Sequence, residues 1–209
     1  MEHIDAILYI NLEHRTDRNE HILAEIQKVC MDTSKIHRIN AVKREPGALG
    51  CGLSHIEALT FALSHEEWNT VLILEDDFTF KPNINLQEQI GLLFSHCGEF
   101  DVGLLSYNPN HFNCDATATV NANDQVKKVL YSQTTSSYII RRSYIPTLLQ
   151  NMRESTYDME RFGKKHENCL DIYWTRLQPE GRWYTVIPAI GYQYDNYSDI
   201  EQRFTSYGC

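Results

Sequence analysis

Apolar and polar positions alternate along this chain in blocks, and the blocks predict strands and helices in turn. Ala6-Ile7-Leu8-Tyr9-Ile10 reads as a strand, and the polar segment from Asn11 to Arg18 reads as a turn. Ile22, Leu23, Ile26 and Val29 then fall at helical spacing, with Asp17 or Asn19 placed to cap the first turn. Ile36 to Val42 predicts a second short strand, and Pro46-Gly47 with Gly50 and Gly52 predicts a loop. A helix is predicted to begin near Leu53, with Ile56, Leu59 and Leu63 on one face. It leads to Val71-Leu72-Ile73-Leu74, an aliphatic run with two β-branched members that reads as a buried strand.

Further on, strands are predicted at Asp101 to Ser106, Val126 to Tyr131, Ser137 to Ile140 and Trp183 to Ile187. A long polar loop runs from Tyr107 to Asp124, a length that in compact domains often marks a functional lid or a disordered connection. Helices are predicted over Ser143 to Met152, where Pro146 suits the first turn, and over Asn168 to Leu177. The alternation predicts an α/β fold, with a mostly parallel central sheet flanked by helices on both sides. No repeat, low-complexity tract or linker divides the 209 residues, so one domain over 1–209 is expected.

Composition narrows the function. A net charge of −9 disfavours a nucleic-acid or membrane-surface binder, because attraction to phosphates needs a basic face. No apolar stretch approaches the ~20 residues of a membrane span, and no basic segment followed by an apolar core opens the chain. The expectation is a protein without signal peptide, cytoplasmic or associated with the cytoplasmic face of a membrane. Cys30, Cys51, Cys97, Cys114, Cys169 and Cys209 are irregularly spaced, with no two-residue gap of a zinc ribbon or redox motif, and read as free thiols. On that reading the glycosylation-like triplet Asn196-Tyr197-Ser198 is idle.

The sharpest chemical signal is Glu75-Asp76-Asp77, which follows the aliphatic run directly. Ligands collect at the carboxyl ends of strands in α/β folds. Adjacent carboxylates repel, and a divalent cation holding a diphosphate relieves that repulsion, since Mg²⁺ or Mn²⁺ takes one or two carboxylates and completes its shell with phosphate and water. Taken alone, the tripeptide reads equally as a solvated acidic turn. Asn11, Arg15 and Arg18 lie just beyond the first strand, where they either hold phosphate oxygens through forked hydrogen bonds or form a helix-start salt-bridge set. Gly50-Cys51-Gly52-Leu53-Ser54-His55 places glycines before a predicted helix start, where backbone N–H groups can approach an anion. Plain capping accounts for Ser54 as well, and His55 suits a partly buried position. Asp171, an acid among apolar residues, is either structural or a base with a raised pKa. No hydrolase elbow and no His-Glu-x-x-His occurs.

Together these segments resemble glycosyltransferase family 25, which contains bacterial lipooligosaccharide (lipopolysaccharide-type) galactosyltransferases and collagen hydroxylysine galactosyltransferases. Ile10-Asn11-Leu12 with Arg15, Asp17 and Arg18 looks like the family's opening signature, and Gly50 to His55 like its Gly-Cys-x-x-Ser-His motif. Leu72 to Asp77 is similar to Leu-Ile-Leu-Glu-Asp-Asp, Tyr138-Ile139-Ile140 to a Tyr-hydrophobic strand, and Gln193 with Ser198-Asp199-Ile200 to the closing Gln…Ser-Asp-Ile.

The resemblance implies a GT-A type nucleotide-sugar-binding fold and an inverting, Mn²⁺- or Mg²⁺-dependent hexosyltransferase using a UDP-sugar, with galactose favoured and glucose next. The acceptor would be a glycan or hydroxylysine in a collagen-like protein. Under it, Asp77 would be the main metal ligand, with Glu75 and Asp76 contacting the ribose or positioning the metal. Asn11, Arg15 and Arg18 would hold the nucleotide, Ser54 and His55 would line the donor pocket, and Asp171 would be the base. Asp195 and Asp199 compete with Asp171 for that role or could complete the metal shell. No His follows His166, so the late imidazole ligand of many GT-A enzymes is missing. Aromatic residues such as Trp174, Trp183, Tyr192, Tyr194 and Tyr197 suit either an acceptor platform or the core. A catalytically silent nucleotide-sugar- or glycan-binding module competes with this reading. A two-metal phosphohydrolase would need a second dense acidic cluster, which the sequence lacks.

Overall fold

The computed structural model describes residues 3–96, 98–115 and 125–206. The chain runs β1 (Ala6–Asn11), α1 (Thr16–Gln27), β2 (Ile36–Asn40), α2 (Gly47–Ser64), β3 (Thr70–Glu75), β4 (Phe78–Phe80), α3 (Leu86–His96) and β5 (Val102–Leu104). It continues through β6 (Phe112–Cys114), β7 (Val126–Ser132), β8 (Ser137–Arg141), α4 (Ile145–Phe162), α5 (Leu170–Tyr173), β9 (Trp183–Val186), β10 (Gly191–Gln193), β11 (Asn196–Ser198) and β12 (Arg203–Thr205). The main sheet has eight strands in the order β2-β1-β3-β8-β5-β9-β7-β6. β1 is parallel to β2 and β3, whereas β8 runs against both of its neighbours and β7 against both of its own. All strands of this sheet but β7 and β8 therefore point the same way, as a mostly parallel sheet requires.

The period of two along each strand sorts side chains onto two cores. Ala6, Leu8 and Ile10 of β1 and Val71 and Ile73 of β3 face α2 and α4 through Ala58, Leu59, Leu148 and Met152, with Trp174 and Trp183 in the same cluster. Ile7, Tyr9, Leu72 and Leu74 face the other way, onto Ile22 and Ile26 of α1 and Ile90 and Leu93 of α3. Helices cover both sheet faces, and the sheet's directional edge, where β2, β1 and β3 all end, stays open for a site.

Four local expectations need correction. α1 starts at Thr16, and neither Asp17 nor Asn19 caps it, because Asp17 is spent on Arg15. α2 starts at Gly47, six residues before Leu53, so Gly50 and Gly52 lie inside the helix and form no anion-binding loop ahead of it. Close packing explains both glycines: a Cβ on Gly50 would sit 2.4 Å from the Val42 carbonyl oxygen, and one on Gly52 would sit 2.7 Å from Thr156 Cγ2 of α4. α4 is longer than the predicted helix, with Pro146 in its first turn as expected. Within the predicted polar loop, Phe112–Cys114 forms β6, while residues 116–124 lie outside the described residues. Cys30, Cys51, Cys114 and Cys169 are free thiols, and Cys97 and Cys209 lie outside the described residues.

Candidate functional site

Glu75, Asp76 and Asp77 occupy the turn between Leu74, the last apolar residue of β3, and Phe78, the first of β4, and both of those side chains are fully buried. Anchored at each end by the core, the turn cannot swing its acids into solvent. Asp76 and Asp77 are themselves buried. β4 pairs with β10 so that Phe78 faces Gln193, whose Nε2 donates to Asp77 Oδ1 at 3.2 Å.

The acids have unequal partners. Asp76 accepts from Asn11 Nδ2 at 2.7 Å and from Arg18 Nη1 at 2.9 Å. The same Nη1 lies 3.2 Å from Asp77 Oδ2, so one guanidinium bridges both aspartates. Glu75 Oε1 accepts from Thr135 Oγ1 at 2.7 Å and lies 3.2 Å from His55 Nε2. The other ring nitrogen of His55 lies 3.1 Å from the Tyr138 hydroxyl. Burial pushes the Glu75 carboxyl up, yet the hydrogen bond and charge of His55, with Thr135 and Arg18, outweigh it and leave the group below the ordinary range. Asp77 goes the other way: burial, then the Glu75 charge, raises it to about 7 against the pull of Arg18. Asp76 is also raised, by burial first, with Arg18 and Asn11 opposing.

A cavity of about 500 Å³ opens beside these acids and brings together most of the sequence-predicted site residues: Arg18, Ser54, His55, Glu75, Asp76, Asp77 and Asp171. Asn11 stands behind its wall, buried, with Nδ2 on Asp76 and its Oδ1 accepting from Arg38 Nε at 3.0 Å. Ser54 is tied up in structure, donating to the Gly50 carbonyl at 2.6 Å and accepting from Val42 N at 2.8 Å. Arg15 lies outside the lining and all three of its guanidinium nitrogens are engaged: Nε and Nη2 take both oxygens of Asp17, and Nη1 takes Asp199 at 2.6 Å and the Tyr197 carbonyl at 3.1 Å. Its fork faces carboxylates, not the cavity. Arg18 Nε is buried with no partner among the described residues. Asp171, at the start of α5, faces the same cavity, and burial followed by the Glu75 charge raises its pKa.

Asp199 is held by Arg15 and His14, and Asp195 is exposed and away from the cavity lining. Trp174 and Trp183 are core residues with no exposed surface. The site also uses residues that the sequence flagged only as strand or loop. Thr135 and Tyr138 orient Glu75 and His55, while Lys43, Arg44 and Lys164 bring positive charge to the rim. Thr134 has a φ of 79°, uncommon for a β-branched residue, and its hydroxyl donates to Gln193 Oε1 at 2.8 Å. For Thr134 and Thr135 the Thr134-Thr135-Ser136-Ser137 run was the available signal, and it does not distinguish a site from a turn.

The donors that the Glu75-Asp76-Asp77 run itself offers a cation are carboxylate oxygens, the ligand type that suits Mn²⁺ and Mg²⁺. Burial first, and the neighbouring Glu75 charge second, hold the Asp77 carboxyl at about 7 despite Arg18, so its charged form is short of compensation. The residues therefore fit a divalent metal.

No protein-family model matches the sequence, and no match is found among curated proteins. Among solved structures, the glycosyltransferase GlyE of Streptococcus pneumoniae aligns with 88% of this chain at 9% identity and a TM-score of 0.51, and this chain spans 45% of that one. A glycosyltransferase involved in glycosylation of the major capsid of PBCV-1 aligns at 10% identity with a TM-score of 0.49, over 88% of this chain and 81% of its own. A mannose-1-phosphate geranyltransferase from Thermus thermophilus aligns at 12% identity with a TM-score of 0.48, over 87% and 72%. The fold is a GT-A type α/β fold. At such identity the likeness concerns the fold alone, and the similarity to family 25 stands on the quoted motifs. No helix among the described residues is long and apolar enough to cross a membrane.

Proposed function

We propose that the chain is a single-domain, inverting, metal-dependent glycosyltransferase that moves a hexose, galactose first and glucose next, from a UDP-sugar to a hydroxyl of a glycan or of hydroxylysine in a collagen-like protein. The observation that carries this reading is the buried Glu75-Asp76-Asp77 turn facing a cavity large enough for a nucleotide sugar, with too little positive charge of its own.

Asp77, assisted by Asp76, would hold Mn²⁺ or Mg²⁺, which when bound neutralises the diphosphate of the leaving nucleotide. Asn11 acts by fixing Asp76. Arg18 sets the distance between Asp76 and Asp77. His55, held by Tyr138, fixes Glu75 for hydrogen bonding to the sugar or ribose. Lys43, Arg44 and Lys164 at the rim attract the anionic donor. Asp171, raised by burial across the same cavity, takes the proton of the acceptor hydroxyl, a task for which a raised carboxyl is better suited than a free one.

One observation favours a second reading, a nucleotide-sugar- or glycan-binding module without turnover: the guanidinium of Arg18 already sits on both aspartates. Nucleotide release from a panel of UDP-, GDP- and CMP-sugars, with Mn²⁺ and with EDTA, separates the two. Slow Mn²⁺-dependent hydrolysis of one UDP-sugar supports the transferase. Binding without release under any condition supports the module.

A further inference from the structure

Sugar transfer through carboxylates leaves two thiols in the cavity without a task, and of these Cys51 stands beside His55 and Glu75. Cys51 and His55 are one helical turn apart on α2 and share its face toward β3. Cys51 Sγ, a ring nitrogen of His55 and a carboxylate oxygen of Glu75 all lie within 4.8 Å of one another. Ligands around a tetrahedral zinc are spaced about 3.3–3.8 Å apart at normal bond lengths, so a small side-chain rotation closes the set.

We infer that Cys51, His55 and Glu75 form a site for a thiophilic divalent cation of the zinc class, separate from the all-oxygen site at Asp77. Two features of the packing prepare it. Gly50 and Gly52, on either side of Cys51, press α2 against the Val42 carbonyl and against Thr156, which fixes the height of the thiol over the cavity. Beyond the ligands, the Tyr138 hydroxyl orients the far nitrogen of His55 and Thr135 orients Glu75, the outer hydrogen bonds that metal-binding imidazoles and carboxylates use. Three protein ligands leave a fourth position toward the cavity, where Asp171 and Cys169 also line the wall. Thiolate and imidazole select zinc-class ions over Mn²⁺ and Mg²⁺, so the two sites discriminate by donor chemistry.

Co²⁺ titration of the purified, full-length protein tests this without reference to sugar turnover, so its outcome is independent of the transferase reading. The expected result is one equivalent bound with a sulfur-to-cobalt charge-transfer band and tetrahedral visible bands, displaced by Zn²⁺ but not by Mg²⁺. C51A should abolish the sulfur band while C169A keeps it. H55Q should weaken Co²⁺ binding by at least 10-fold, and Y138F by about 10-fold through the lost outer hydrogen bond. Absence of the band in the wild type, its survival in C51A, or its loss in C169A instead would overturn the inference. Should C51A fail to fold, unchanged Co²⁺ affinity and spectrum in H55Q would overturn it equally.

Discussion

Asp77 is buried among its own kind, and its protonation couples to stability. Its carboxyl titrates at about 7 in the folded protein, against 3.8 when unfolded, so between those values the folded state binds the extra proton. Stability from this group is complete below about pH 4 and is lost as pH rises through 7. The raised Asp76 and Asp171 act in the same direction. In EDTA, thermal melts are therefore expected to fall from pH 6 to pH 8, and Asp77→Asn is expected to flatten that fall and to melt higher than wild type at pH 8. A wild-type melting temperature independent of pH over this range would refute the assignment. Gln193 supports the same carboxylate, and Gln193→Ala should lower kcat/KM for the donor by about 10-fold with a folded circular dichroism spectrum, the usual consequence of losing an outer hydrogen bond to a ligand.

At the scale of elements, the position of α2 determines where His55 stands, and glycine packing determines α2. Gly50→Ala gains helix propensity of up to ~1 kcal/mol but drives a methyl into the Val42 carbonyl, and overpacking of this kind costs about 1–3 kcal/mol. Denaturant unfolding should show net destabilisation. Gly91→Ala in α3, where a Cβ meets nothing within 4 Å, should stabilise by about 0.5–1 kcal/mol. This contrast also marks what the sequence could and could not reveal. β1 and β3 were legible because their apolar runs are local, and the acids were legible because they end such a run. The start of α2 was not, since Gly47, Gly50 and Gly52 carry the composition of a loop while serving contacts made through space. β4 and β10, three residues each, are stable only through one another, and Gln193 lies 116 residues from the Asp77 it orients. The partners of Arg15 were equally hidden: Asp199 is 184 residues away, so a fork that looked open to phosphate proves to be closed by carboxylates.

On the scale of the whole molecule, the C-terminal hairpin of β11 and β12 forms one wall of the cavity through Tyr197 to Gln202. It is tied down by the Asp199–Arg15 pair, by Lys164–Glu201 at 3.5 Å, and by the Tyr197 carbonyl, which accepts from both Arg15 and Arg18. The wall and the acids thus share Arg18, so the position of the hairpin and the arrangement of the aspartates depend on one side chain. Asp199→Ala should loosen the wall and raise KM for the donor several-fold with kcat little changed, the pattern of lost uniform binding. A selective fall in kcat would instead place Asp199 in the chemistry. The central claim, that the cavity beside Glu75-Asp76-Asp77 takes a nucleotide diphosphate through a divalent cation, is tested most directly by calorimetric titration of UDP into wild-type protein and Asp77→Asn, each with Mn²⁺ and with EDTA. The account predicts binding by the wild type in Mn²⁺, weakened at least 10-fold by EDTA and by the substitution alike. UDP affinity that is the same in all four titrations, or no heat in any of them, would contradict it.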